Sequence, residues 1–308
     1  MRVLVTGGAG YLGSVFVGKL LDDGHEVTVV DSFMYGQTSL NQYCSYDNFE
    51  VIVGDVRQFH LYKDELKKAD VVIPLAALVG APLCDKDPSL AWEVNTQAIQ
   101  EALRCLSPSQ IVIYPNTNSG YGIGSKQKEC DEETSLKPIS TYGKSKVETE
   151  RTVLGWGGVA FRLATVFGMS PRMRLDLLVN NFVYRALNDR FVVLFESHFK
   201  RNYIHVQDVA HAFLHAIDNY DMMKGKAYNV GLSDANLSKM ELCEAIHKHI
   251  RFSIIEAEVG EDLDKRDYIV SNKRIEATGF LPSVSLDQGI KELLKGLPMI
   301  RNRIYGNI

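Results

Sequence analysis

Tyr142 and Lys146 stand four residues apart in Tyr142-Gly143-Lys144-Ser145-Lys146, with no proline between them. On a helix they share one face, about one turn apart. A free tyrosine titrates near pH ~10 and is a poor base at neutrality. A neighbouring ammonium favours the phenolate, and a fall of about three units asks for roughly 4 kcal/mol of differential stabilisation. A partly buried lysine helps to meet that demand. The pair is therefore a candidate proton-transfer centre, with Tyr142 as base and Lys146 as its tuning cation. An amphipathic helix with a surface Tyr and Lys has the same spacing, so the start of the chain has to decide.

Residues 3–6 (Val3-Leu4-Val5-Thr6) read as a short buried strand and 15–21 as a helix. Between them Gly7, Gly10 and Gly13 give T-G-x-x-G-x-x-G, a spacing suited to a tight turn and close backbone approach to a pyrophosphate. Gly7, Gly10, Tyr11, Leu12 and Gly13 are thus candidate cofactor-binding residues. Residues 27–30 form a second apolar strand ending in Asp31, 18 residues beyond Gly13. A carboxylate there accepts both adenosine ribose hydroxyls and repels a 2′-phosphate, which favours NAD over NADP. Beside a bound nicotinamide, whose oxidised ring is positive, a phenolate at Tyr142 becomes easier to form.

Further apolar strands at 51–53, 71–75, 111–114 and 158–163 alternate with helical segments near 58–69 and 88–106. That rhythm predicts an α/β, Rossmann-like, doubly wound parallel sheet with ligands across the strands' carboxyl ends. Asp55 and Val56 then suit the adenine edge, and Leu75, Ala76 and Ala77 leave room beside the cofactor. After residue 168 the order loosens into a smaller C-terminal α/β lobe, with a helix expected over 177–187.

Composition narrows the function classes. The 308 residues are 45% hydrophobic and 23% charged, an ordinary globular balance. A net charge of −4 without a basic block gives nucleic-acid binding no support. The five cysteines are an odd number with no C-x-x-C pair, which reads as reduced thiols in a cytoplasmic protein and neither a disulfide frame nor a metal site. No signal peptide and no apolar run of membrane-spanning length is evident.

Seven stretches together carry a family resemblance: TGGAGYLG at 6–13, GDV at 54–56, LAALVG at 75–80, YGKSK at 142–146, FRLATVFG at 161–168, RNYIHVQDVA at 201–210 and YNVG at 228–231. The chain resembles the extended short-chain dehydrogenase/reductases, the nucleotide-sugar epimerase and dehydratase group. The resemblance implies an NAD-binding domain over 1–168, to which part of the later chain returns, and a mainly nucleotide-sugar-binding lobe over 169–308. It implies a triad of Thr117, Tyr142 and Lys146, because Thr117 stands four residues before Tyr121-Gly122. In that triad Thr117 holds a sugar hydroxyl, Tyr142 takes its proton, and Lys146 binds the nicotinamide ribose. It further implies substrate contacts from Asn118, Ser119 and Tyr121, diphosphate contacts from Arg174, Asn180 and Arg201, and a late nucleotide contact from Arg266 and Asp267.

The related 4,6-dehydratases carry Asp-Glu where this chain has Asn118-Ser119, so water elimination across C5–C6 lacks its acid and base. What remains is tyrosine-based oxidation at C4, followed by re-reduction or by release of the ketone. Cys84 is a candidate acid/base thiol near the expected pocket, although a free cysteine commonly serves as a small buried hydrophobe. Residues 114–124, 161–180 and 264–272 look like the GDP-D-glycero-D-manno-heptose 4-dehydrogenases of bacterial capsule pathways, which favours a GDP-sugar substrate. A 4-epimerase and a non-catalytic NAD-binding scaffold are the competing expectations. The family's pairing of the helix near 90–106 with the Tyr142 helix implies a homodimer.

Overall fold

The computed structural model describes residues 1–122, 129–257 and 267–300. Valine-rich runs form its strands because β-branched side chains pack well in a sheet covered on both faces. They are β1 (Arg2–Thr6), β2 (Glu26–Asp31), β3 (Phe49–Val53), β4 (Val71–Pro74), β5 (Ile111–Thr117) and β6 (Val159–Leu163). After β7 (Thr165–Phe167), β8 (Phe191–Leu194) and β9 (Lys200–His205), the chain returns to that sheet through β10 (Ala227–Val230). Among the described residues the sheet has seven parallel strands in the order β10-β6-β5-β4-β1-β2-β3. This is the expected Rossmann-like, doubly wound arrangement.

The strand order reverses between β1 and β4, so their carboxyl ends open a crevice. Helix α1 (Gly13–Asp22) covers one face; α2 (Lys63–Lys68) lies on the other. The chain then runs through α3 (Ala81–Lys86), α4 (Pro88–Trp92), α5 (Ala98–Cys105), α6 (Thr141–Trp156), α7 (Leu178–Asn188) and α8 (Val206–Asp218). Phe213 of α8 stacks between Phe16 and Phe161, with ring centroids 5.2 Å from each, and locks α1 and α8 over β6. On the opposite face Leu66, Ile99, Leu103 and Val153 pack over Leu4, Val112 and Tyr114. The two cores hold the sheet's crevice open from both sides.

The helix expected near 88–106 is interrupted by a π-helical turn over Glu93–Gln97. Its reason is polar: Asn95 turns inward, accepts from Leu78 N at 2.8 Å, and donates to Leu78 O and Ser145 Oγ. The wider turn also points Thr96 at Ser145 O, so two consecutive residues grip α6. The helix expected near 58–69 likewise splits into a 3-10 turn, Phe59–Leu61, and α2.

The smaller lobe holds a three-stranded sheet, β11 (Asn236–Ser238) with β9 and β7, and a two-stranded one, β12 (Ser253–Glu256) with β8. Among the described residues no helix is long and apolar enough to cross a membrane.

Candidate active site

A cleft of about 750 Å³ follows the carboxyl ends of β1, β2, β4 and β5 and runs into the smaller lobe. Its floor is the glycine turn. Gly7 has φ +72°, and a Cβ built there would lie 2.5 Å from Ala76 N. A Cβ on Gly13 would meet Gly7 O at 2.5 Å. Only glycine permits this turn to fold flat against the end of β4. No side chain caps α1, whose positive N-terminal end faces the cleft at Leu12 and Gly13.

Asp31 ends β2 at the cleft wall and is pinned by its own neighbours. Its Oδ2 accepts from Ala9 N at 2.9 Å, and its Oδ1 accepts from Phe33 N at 2.8 Å and Gln37 Nε2 at 3.3 Å. Burial raises its pKa, against the pull of the two backbone N–H groups. Gly7, Gly10, Tyr11, Leu12, Gly13, Asp55, Val56, Leu75, Ala76 and Ala77 line the same end of the cleft. The Tyr11 phenol donates to Gly168 O at 2.7 Å, which ties the glycine turn to the chain just after β7. A flat glycine floor, a bare helix N-terminus and a fixed carboxylate at the end of β2 fit a dinucleotide.

Thr117, Tyr142 and Lys146 converge further along the cleft. Helix α6 starts where Ser140 Oγ accepts from Gly143 N at 3.1 Å, which sets the first turn and places Tyr142 at the wall. Thr117 is the last residue of β5, and its Oγ1 accepts from Ser119 N at 3.2 Å, close to Ser119 Oγ at 3.0 Å. Lys146 is 4% exposed, and desolvation pushes its pKa down to about 7, with Cys84 and Glu150 opposing.

Cys84 is wholly buried. Its thiol donates to Leu78 O at 3.2 Å, and desolvation pushes its pKa up to about 11. It does not line the cleft, which argues against a role as acid/base.

Arg174 and Arg201 reach the lobe end of the cleft, where Arg174 pairs with Asp176 at 2.5 Å. Four expected substrate contacts do not reach it. Asn118 is buried behind the wall: it opens the 3-10 turn that follows β5, whereas Thr117 and Ser119 line the cleft. Tyr121 is carried by the 3-10 turn Asn118–Tyr121 into a buried network, where it donates to Asn229 Oδ1 at 2.7 Å. Asn180 is fully buried and braces the lobe, accepting from Gly168 N and donating to Tyr11 Oη and Arg174 O. Asp267 accepts from Lys200 N at 2.9 Å and faces β9, not the cleft. Arg266 lies outside the described residues.

Arg172, Tyr35 and Asn116 line the wall and carry no signal the sequence expectations used. Arg172 lines the cleft with its guanidinium 4.7 Å from the Tyr35 ring, which joins the loop after β2 to the second lobe. Asn116 also lines the cleft and accepts from Thr117 N at 2.7 Å.

The model of the NAD dependent epimerase/dehydratase family matches residues 3–231. A UDP-N-acetyl-alpha-D-glucosaminuronate decarboxylase of Bacillus cytotoxicus is 26% identical over 322 residues, covering 98% of this chain and 99% of that protein. The structure of a dTDP-glucose 4,6-dehydratase from Streptomyces venezuelae, with NAD bound, superposes with a TM-score of 0.85 at 23% identity, covering 98% of each chain. That of a Thermus thermophilus UDP-glucose 4-epimerase complexed with NAD gives 0.79 at 25% identity, covering 97% of this chain and 99% of the other. Proteins named as a decarboxylase, a dehydratase and an epimerase are thus each similar to this chain over nearly its full length.

Proposed function

The chain belongs to the NAD dependent epimerase/dehydratase family, as an NAD-dependent enzyme, and within it we propose that it oxidises C4 of a nucleotide-diphosphate sugar. The observation that carries this reading is the convergence of Thr117, Tyr142 and Lys146 on the cleft floored by the glycine turn. Bound NAD supplies the acceptor for the hydride that leaves C4. Thr117 holds the C4 hydroxyl, and Tyr142 removes its proton as the carbonyl forms. Lys146 binds the nicotinamide ribose and favours the phenolate of Tyr142. Arg174 and Arg201 supply positive charge for the diphosphate.

Ser119 presents a neutral hydroxyl beside Thr117, so the wall there offers no carboxylate for eliminating water. The substrate we infer is GDP-D-glycero-D-manno-heptose, oxidised to its 4-keto form for capsule or surface polysaccharide. Support for that choice is the resemblance of residues 114–124, 161–180 and 264–272 to the GDP-heptose 4-dehydrogenases. The likeness to a UDP-glucose 4-epimerase favours a second reading, in which hydride returns to the opposite face of the sugar and no NADH accumulates. A scaffold role is disfavoured by the complete triad.

We further propose a cytoplasmic homodimer built on α5 and α6. The outer faces of these helices carry the exposed ion pairs Glu101–Arg104 and Glu148–Arg151, each within its own helix. Sedimentation showing monomer alone at micromolar concentration, in low salt, overturns that.

The decisive experiment mixes the protein with GDP-heptose and with a panel of GDP-, UDP- and dTDP-sugars, followed at the reduced-nicotinamide band and by NMR. A 4-keto product with stoichiometric NADH from the GDP-heptose supports the dehydrogenase. An inverted sugar without NADH establishes the epimerase, and no turnover of any sugar defeats both.

A further inference from the structure

The ammonium of Lys146 lies 4.1 Å from the centroid of the Tyr114 ring. Tyr114 belongs to β5, three residues before Thr117, and is fully buried. The charged and titratable groups around the lysine come from three elements: Tyr114 on β5, Cys84 on α3, and Tyr142 and Glu150 on α6. Cys84 is a neutral thiol engaged with Leu78 O. Glu150 has its two oxygens on Arg162 and Asn116. Among the described residues no carboxylate lies within ion-pair distance of Lys146, so an aromatic face stands where a counter-ion would be expected.

We propose that Tyr114 is a positioning residue for Lys146, the π face of its ring holding the ammonium at the cleft wall. An aromatic ring is negative over its face, and its attraction for a cation strengthens when water is removed. Both conditions hold here. The ring, and not the hydroxyl, is the working group, because the ammonium lies over the ring, whereas Tyr114 Oη is engaged with Lys146 O at 3.5 Å and with the Thr149 side chain. Without the ring the buried lysine loses its proton more readily, and less ammonium is present at neutral pH to serve Tyr142.

The test reads the lysine directly and is independent of which sugar is the substrate, so its failure is separable from failure of the proposed reaction. In protein labelled with ¹³Cε-lysine, the Lys146 resonance is identified by its loss in Lys146→Met, then titrated in native protein, Tyr114→Phe and Tyr114→Leu. The expected midpoint is near pH 7 in the native protein. It is retained in Tyr114→Phe and falls by about one pH unit, tenfold in the acid constant, in Tyr114→Leu. Fluorinated phenylalanines at position 114 keep the shape while draining the ring face, and the midpoint should fall as fluorines are added. A midpoint unmoved by fluorination, or a fall in Tyr114→Phe equal to that in Tyr114→Leu, overturns the proposal.

Discussion

Arg162 of β6 and Glu150 of α6 form a buried ion pair, with Nη2 2.7 Å from Oε1 and Nε 3.1 Å from Oε2. Glu150 Oε2 also accepts from Asn116 Nδ2, and Asn116 Oδ1 in turn accepts from Thr117 N. A charge pair beneath the sheet therefore reaches the cleft through one amide. The helix that carries Tyr142 and the strand that carries Thr117 are fastened at the same point.

Removing one partner of such a pair leaves the other charge buried alone. Arg162→Met should lower stability by about 3–5 kcal/mol in urea unfolding. Adding Glu150→Leu should return much of that loss, because no charge is then stranded. A single variant as stable as the native protein would show that the pair is not dry.

Tyr142→Phe should cut hydride transfer by about 10²–10⁴-fold, the usual range for losing a positioned proton acceptor. Thr117→Val should give a smaller loss. NAD binding, followed calorimetrically, should survive both changes. Normal turnover by Tyr142→Phe would remove the tyrosine from the mechanism.

Lys146 makes stability depend on pH with a definite sign. Its pKa is pushed to about 7 in the folded protein by desolvation, against about 10.5 in the unfolded chain. At pH 7 and below, the folded state bears the full cost of a buried ammonium. Between about 7 and 10.5 the unfolded state binds more protons, so this group's contribution to stability rises with pH. Lys146→Met should accordingly stabilise the NAD-free protein by a few kcal/mol near pH 6, with the gain fading by about pH 10. Thermal melts of both proteins across that range supply the check, and a pH-independent gain would contradict it.

Asp31→Asn should weaken NAD binding by about tenfold or more, since bonds to a charged acceptor contribute about 1.5–3 kcal/mol each. It should also narrow the preference over NADP, because the repelling charge is gone. Titration with each dinucleotide measures both effects; unchanged discrimination would mean that Asp31 only braces the Ala9 and Phe33 turns.

Much of the fold was readable in short windows. The valine runs of β1, β2 and β4, the glycines at 7, 10 and 13, and Asp31 at the end of its strand each declare themselves within a few residues. Backbone requirements such as the positive φ of Gly7 are local too, so a spacing of three between glycines was enough to locate the turn. The Tyr142–Lys146 spacing, and the family resemblance that implies Thr117 four residues before Tyr121, likewise pointed to three residues that do share the cleft.

What the sequence could not decide is where neighbours of those residues point. Asn118 and Thr117 are adjacent, yet the change from strand to 3-10 turn between them sends one behind the wall and leaves the other lining the cleft. Tyr121, Asn180 and Asp267 have the chemistry of substrate contacts but are consumed by internal hydrogen bonds. The meetings of Tyr114 with Lys146, Arg162 with Glu150 and Arg172 with Tyr35 join separate elements. By itself the sequence determined the α/β order, the dinucleotide turn and the Tyr142–Lys146 pair, because those are properties of contiguous chain, while Thr117 came from the family resemblance. Only the tertiary structure decided which polar side chains face the ligand and which hold the walls, because side-chain direction is set by how α6 and the second lobe pack on the sheet.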